Sequence, residues 1–284
     1  MMKTGKNKRL LASILAASML LAMSPFALAE GTEDAPDTTG QGQTVEGGGA
    51  EQTCAAKIGE TEYSTLAGAI DAANIYDANS DVTIVMLHDV TENIEIHRSL
   101  TLDLGGFTLS GNANAAVVTI SGDKPRVTVK NGTVTGGRNP QNGGGFAIDS
   151  AVVQLEDLTI TGNETVGDNG NGEVGGGGIY ASHADVSMQN VTVSKNSVTG
   201  SSSDGGGILV RYGSLTMNGC HVEGNTAPDC GGGMILRHSV LNAAKSFFEK
   251  NTAASQKNRR SKRALAEYIC QKGENARFES GQTL

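Results

Sequence analysis

Tryptophan is absent from this 284-residue chain, and tyrosine and phenylalanine make up only 4% of it. That scarcity excludes a large aromatic core and a cleft paved with ring faces for stacking on sugars. Proline is scarce as well, at 5 residues, which excludes a polyproline or collagen-like design. After the first 29 residues no apolar run is long enough to span a membrane. Basic charge is thin in the body of the chain, where residues 30–253 carry 11 Lys and Arg against 27 Asp and Glu. A body of net charge −16 repels nucleic acid, whose binding rests on phosphate neutralisation. It also repels polyanionic sugars unless a cation bridges them.

What is present begins with an export signal. Lys3, Lys6, Lys8 and Arg9 form a basic head, Leu10 to Met23 an apolar stretch, and Ala27-Leu28-Ala29 a small-x-small cleavage site. Residues 1–29 therefore read as a signal peptide cleaved after Ala29, and the chain as secreted or displayed at the cell surface. Residues 30–53, with one Val and no aromatic, read as a disordered linker. Ser64 or Thr65 then caps a short helix over about 64–73, with Leu66, Ala69, Ile70 and Ala73 on one face. From Asp81 the apolar period becomes two and stays so to Asn251, interrupted by Gly, Asn, Asp and Ser.

Within that span a phrase recurs: GGGFAIDSAVVQLEDLTITGN at 143–163, GGGIYASHADVSMQNVTVSKN at 176–196, GGGILVRYGSLTMNGCHVEGN at 205–225 and GGGMILRHSVLNAAKSFFEKN at 231–251. From Phe146 to Asn163, Ile179 to Asn196, Ile208 to Asn225 and Met234 to Asn251 the interval is 17 residues every time. The connections from each Asn to the next copy vary, at 16, 12 and 9 residues. Two degenerate copies precede them, with Val127-x-Val129 and Val134 falling 25 residues after Leu102-x-Leu104 and Leu109.

A propeller blade needs about 40 residues, and leucine-rich repeats carry a Leu-x-Leu-x-x-Asn frame that is missing here. The spacing predicts an all-β solenoid whose equivalent residues stack about 4.8 Å apart on successive coils. Inward columns follow: Val153, Val186, Leu215 and Leu241; Leu155, Met188, Met217 and Ala243; Leu158, Val191 and Cys220; Ile160, Val193, Val222 and Phe248. Each glycine run marks a corner that needs φ > 0 and close approach between coils. Asn163, Asn196, Asn225 and Asn251 mark another, where asparagine tolerates the left-handed region and bonds to backbone or to the Asn above. They read as a turn ladder, with a ligand site as the alternative.

Gly-Gly-Gly-Ile together with Phe248-x-x-Asn251 and its variants Ile160-x-x-Asn163, Val193-x-x-Asn196 and Val222-x-x-Asn225 resembles the GGA[ILV] and FxxN repeats of polymorphic outer-membrane proteins. Gly stands here at the third position of the motif. The stretch from Ala56-Lys57-Ile58-Gly59 through Tyr63-Ser64-Thr65-Leu66 to Ala69-Ile70 looks like the N-terminal cap of secreted, repeat-rich surface proteins of gut bacteria. Both belong to the pectin-lyase-like class, so the resemblance implies a right-handed parallel β-helix over 54–253, with coils at about 80–253. It also implies a non-catalytic, adhesin-like role, with a glycan or host surface as partner. The rival within that class is a polysaccharide lyase or glycoside hydrolase. The NTD, DD, GHG and RIK motifs of pectin-type hydrolases do not occur in this chain. No enzyme activity, cofactor, metal or nucleic-acid partner is expected. Neither an LPxTG motif nor an autotransporter barrel is read here, so the mode of surface attachment does not carry over.

Two outward columns carry what chemistry there is: Asp149, Ser182, Arg211 and Arg237, then Ser150, His183, Tyr212 and His238. Arg211, Arg237, His183 and His238 are expected to form one exposed basic and imidazole patch, and stacked arginines bind a carboxylate or sulfate. Asp168, Asn169, Asn171 and Glu173 look superficially like a calcium loop but lack its closing Glu, so they read as a polar loop. Cys220 falls where other copies hold Val or Leu and reads as core. Among Cys54, Cys220, Cys230 and Cys270 three pairings are open. Residues 254–284 break the pattern: Leu265, Tyr268 and Ile269 have helical spacing beside a basic run at 257–263. A helical cap over the last coil or a truncated, frame-shifted end would explain this, and the abrupt change of composition favours the second.

Overall fold

The computed structural model describes residues 53–77, 80–112, 114–167, 174–201, 203–254, 269–272 and 276–278. The expected signal peptide, all of the linker except Thr53, the loop 168–173 and most of the tail lie outside them. Among the described residues no helix is long and apolar enough to cross a membrane. The chain winds into a parallel β-solenoid of about six turns with three sheets, of 15, 7 and 5 strands.

One coil serves for all. Ile179–Ser182 lies in the 7-stranded sheet, and the chain turns at His183 and enters the 15-stranded sheet with Asp185–Gln189. It bends at Asn190, continues as Thr192–Ser194, turns at Lys195 and ends in the 5-stranded sheet with Ser197–Val198. Each of these turns holds one residue with φ between 50° and 54°: His183, Asn190 and Lys195. The next coil repeats the path in register, Val186 over Leu215 and Val193 over Val222. All four expected inward columns are buried. Cys220 is one of them, a buried thiol whose titration burial pushes up.

The glycine runs act for two reasons. Only the first glycine of each run is left-handed: Gly143, Gly176, Gly205 and Gly231 have φ of 72°, 70°, 67° and 61°. The second and third glycines are needed for space. A Cβ on Gly177 would sit 2.4 Å from the Ser197 carbonyl oxygen and 2.5 Å from that of Gly206 in the next coil. The ladder asparagines are not the left-handed residues of their corner, contrary to expectation. That conformation belongs to the residue before each: Gly162, Lys195, Gly224 and Lys250.

The early register also differs from the sequence spacing. Leu102 pairs with Val129 and Leu100 with Val127, two residues away from the expected match, while Leu109 does pair with Val134. Gly105 and Gly106, at φ 61° and 88°, take up the two extra residues in a turn closed by a Phe107 N–H to Leu104 carbonyl bond of 2.9 Å. A shift of two keeps the same side chains inward.

The helix Leu66–Ala73 buries Leu66, Ala69, Ile70 and Ala73 against the first turns, and Thr65 caps it by accepting from Gly68 N–H at 3.0 Å. Glu92 accepts from the backbone N–H of Leu66 and Ala67 at 3.0 and 2.9 Å. At the other end Arg98 donates to the carbonyls of Ala73, Tyr76 and Asp77. An acid at the N-terminus and a base at the C-terminus oppose the helix dipole and clamp the helix to the solenoid. In the tail, Ile269–Lys272 pairs in parallel with Met234–Arg237, and Ala276–Phe278 with Val240–Ala244. Ile269 is therefore strand, not part of a helical cap. Leu265 and Tyr268 lie outside the described residues.

Two substitutions separate the two roles of the corner residues. Gly177→Ala forces a Cβ onto two carbonyl oxygens and is expected to cost about 3 kcal/mol or more. Lys195→Gly trades a strained left-handed Lys for a more flexible chain and is expected to stay within about 1 kcal/mol of wild type. Urea unfolding of the two variants checks both; equal losses would refute the assignment.

Candidate functional site

The expected basic patch is built at the corner that joins the 7-stranded sheet to the 15-stranded one. Ser150, His183, Tyr212 and His238 all adopt φ of 50–53° there, which places equivalent side chains one above the other. His183 stacks on Tyr212 with ring centroids 5.1 Å apart, and Tyr212 on His238 at 5.2 Å with the planes 1° from parallel. The Arg211 guanidinium carbon stands 5.2 Å from the Tyr212 ring centroid. Ser182 Oγ lies 2.9 Å from His183 Nδ1, and Asp149 Oδ1 lies 3.9 Å from it. Because the rings cover one another's faces, the stack turns edges to the outside, and Tyr212 keeps 46% of its surface exposed.

Arg237 does not belong to an open patch, and that expectation is corrected. Its Nη2 pairs with Asp204 Oδ2, leaving the two side chains 15% and 1% exposed. Arg211 and Arg237 are direct neighbours in register, with a buried carboxylate engaged by the second. Like charges one coil apart repel, and Asp204 offsets the charge of Arg237 from the connecting loop. Its other oxygen accepts from Cys230 N–H at 2.9 Å, as Asn142 Oδ1 accepts from Gly175 N–H two coils earlier in the same column. Asp204 is not among the residues the sequence singled out; its position directly before a glycine run, shared with Asn142, was the available signal. Cys230 is disulfide-bonded.

The connecting segments also cover apolar side chains. Leu209 and Ile235 point away from the solenoid core yet are fully buried. A Cβ on Gly175 would meet Leu209 Cδ1 at 2.8 Å, and one on Gly205 would meet Ile235 Cγ2 at 3.0 Å. So these segments fold back over the 7-stranded sheet.

Asn163, Asn196, Asn225 and Asn251 are buried and hydrogen-bonded throughout. Asn196 Oδ1 accepts from Asn163 N–H and Nδ2 at 3.0 and 3.1 Å, and Asn225 Oδ1 serves Asn196 at 2.9 and 3.1 Å. Asn251 Oδ1 serves Asn225 at 3.0 and 2.9 Å. Each Nδ2 also reaches a carbonyl one coil back: Val134, Ile160, Val193 and Val222 in turn. All the amides point the same way along the axis, which strengthens each bond. These residues hold the turns together.

A feature not singled out in the sequence lies on the outer face of the 15-stranded sheet. Thr101, Thr128, Gln154, Ser187, Thr216 and Asn242 follow one another in register, one per coil. The first five run along two shallow depressions of about 350 and 330 Å³ that share Arg126 and Thr128. Asp185 and Ser214 line the first, Asp81 and Ser99 the second. The strands that carry them start two residues after the ring-bearing corner. Among the described residues no group of three His, Cys, Asp or Glu side chains converges to hold a metal ion.

Compared with protein families, with curated proteins and with solved structures, the chain matches none.

Burial pushes the Asp204 carboxyl above its ordinary range, against the opposing pull of Arg237. The folded chain then holds a proton at pH values where the unfolded chain has lost it, so this group's contribution to stability falls as pH rises. Arg237→Ala removes the opposing pull and strands a buried carboxylate, at a cost of about 3–5 kcal/mol at neutral pH. The loss is expected to shrink as the pH is lowered from neutral into the acid range and Asp204 takes up its proton. Thermal melts of wild type and variant across that range test this, and a pH-independent difference would contradict it.

Proposed function

We propose that this chain is an exported, non-catalytic surface protein of adhesin-like type that binds glycan along the outer face of its 15-stranded sheet. The observation that carries the reading is the row of Thr, Gln and Ser side chains at one-coil intervals along two adjoining shallow depressions. Hydroxyl and carboxamide groups both donate and accept, as sugar hydroxyls do. A solenoid repeats such a row without any change to its core. The pectin-lyase-like resemblance, the right-handed winding it implies and the signal-like N-terminus belong to the same proposal.

The catalytic rival receives less support from the geometry. Of the two arginines that could serve as a lyase base, Arg211 and Arg237, the second is committed to Asp204. A proton-transfer group must reach its substrate within hydrogen-bonding distance, and a guanidinium 15% exposed and ion-paired is poorly placed for that.

Affinity electrophoresis of the purified chain through gels containing single plant or host polysaccharides tests the reading. Retardation by at least one glycan is expected, reduced about tenfold or more in affinity, equivalent to ~1.4 kcal/mol, by Ser187→Lys with Thr216→Lys. Both residues sit on the outer face, so the variant should melt like wild type. Unsaturated products absorbing in the ultraviolet, with or without calcium, would replace the binding reading by a lyase.

A further inference from the structure

We infer that the outer-face groove selects a neutral, unbranched, extended glycan and discriminates against uronate polymers. This rests on the glycan reading above and adds the chemical class of the ligand. Among the described residues lining the two depressions, Arg126 is the only cation, while Asp81 and Asp185 are both acids. The lining therefore carries one more negative than positive charge. Asp185 is held in place as the acceptor of the Ser214 hydroxyl. Lys130, on the outer face one strand position beyond Thr128, stands 3.5 Å from Asp103 and does not lend its charge to a ligand. Over residues 30–253 as a whole, acids outnumber bases by 27 to 11.

A polyuronate would bring one carboxylate for every sugar into this groove. A single guanidinium would face several of them, and the two aspartates would repel their neighbours through a shallow, water-filled gap. A neutral glycan avoids that repulsion while using the same hydroxyl and carboxamide partners. The depressions cross five strands, from Leu100–Asp103 to Ser214–Asn218. At about 4.8 Å per strand the groove is roughly 19 Å long, enough for a short run of sugars in extended form. Since no aromatic ring lines it, each sugar is held by exposed hydrogen bonds alone. Affinity per sugar is then low and rises with chain length until the groove is filled.

Calorimetric titration of the full chain with xylo-, cello- and manno-oligosaccharides, set against oligogalacturonides of matched length, decides the matter. At ~20 mM NaCl at least one neutral series is expected to bind about tenfold or more tightly than the oligogalacturonide. The neutral affinity should change less than about twofold on going to ~500 mM NaCl, because screening acts on charges. The double variant Asp81→Lys/Asp185→Lys, altered at two exposed groove positions, should gain oligogalacturonide binding, so that the preference for the neutral series falls about tenfold or more. If the oligogalacturonide binds wild type as tightly as any neutral series and the charge-neutral change Ser187→Ala with Thr216→Ala weakens it, the charge inference fails while the glycan groove stands. If no series binds, or binding ignores both groove variants, the groove itself is lost and the inference with it.

Discussion

The structure depends on one constraint: in a parallel solenoid every side chain has as its neighbour the equivalent side chain of the next coil, about 4.8 Å away. Whatever a position holds must tolerate a near-copy of itself. Apolar residues do so by interlocking, as Val153, Val186, Leu215 and Leu241 do. Asparagine does so because its amide both donates and accepts, which lets four of them bond in sequence while buried. Rings do so by stacking at the corner of His183, Tyr212 and His238. Glycine does so by leaving room for a carbonyl.

Charge is the case that fails this requirement, and the structure deals with it in two ways. Glu223 and Glu249 are register neighbours on the outer face, where water screens them. Arg211 and Arg237 are register neighbours at a partly covered position, and there a carboxylate is brought in from outside the repeat. Asp204 is buried at a cost that its ion pair and its bond from Cys230 offset only in part. The least exposed acid of the described chain therefore sits in a connecting segment, directly before a glycine run.

Features that recur at a fixed interval were legible in the sequence. The inward columns, the asparagine ladder and the place of Cys220 all follow from a 17-residue unit, since stacking turns period into contact. Thr65 and the face of the first helix were legible from capping and spacing. What escaped was set by single events. Gly105 and Gly106 absorb two residues once, so the early register could not be read from a later average. Glu92 and Arg98 clamp the helix across more than twenty positions, and no local pattern marks such a pair. The left-handed residue before each asparagine is Gly or Lys, and the lysines gave no hint of their conformation. The hydroxyl row escaped for another reason: outward Ser and Thr are ordinary in strands, and only the register shows that they line up.

The connecting segments bear most directly on how such a protein diverges. Their lengths vary from copy to copy, which suggested pure display on a fixed scaffold. Yet Gly175 and Gly205 lie against Leu209 and Ile235, and Ser203 donates to the Gly167 carbonyl at 2.9 Å. Where these segments meet the sheet they form a second, outer layer of packing. A change of length there has to preserve the cover over Leu209 and Ile235 and the reach of Asp204 to Arg237. The outer face of the 15-stranded sheet carries no such burden. Thr128, Ser187 and Thr216 pair through their backbone in the sheet and turn their side chains to the outer face. The sheet face, rather than the connecting segments, is therefore where side chains change at least cost to stability.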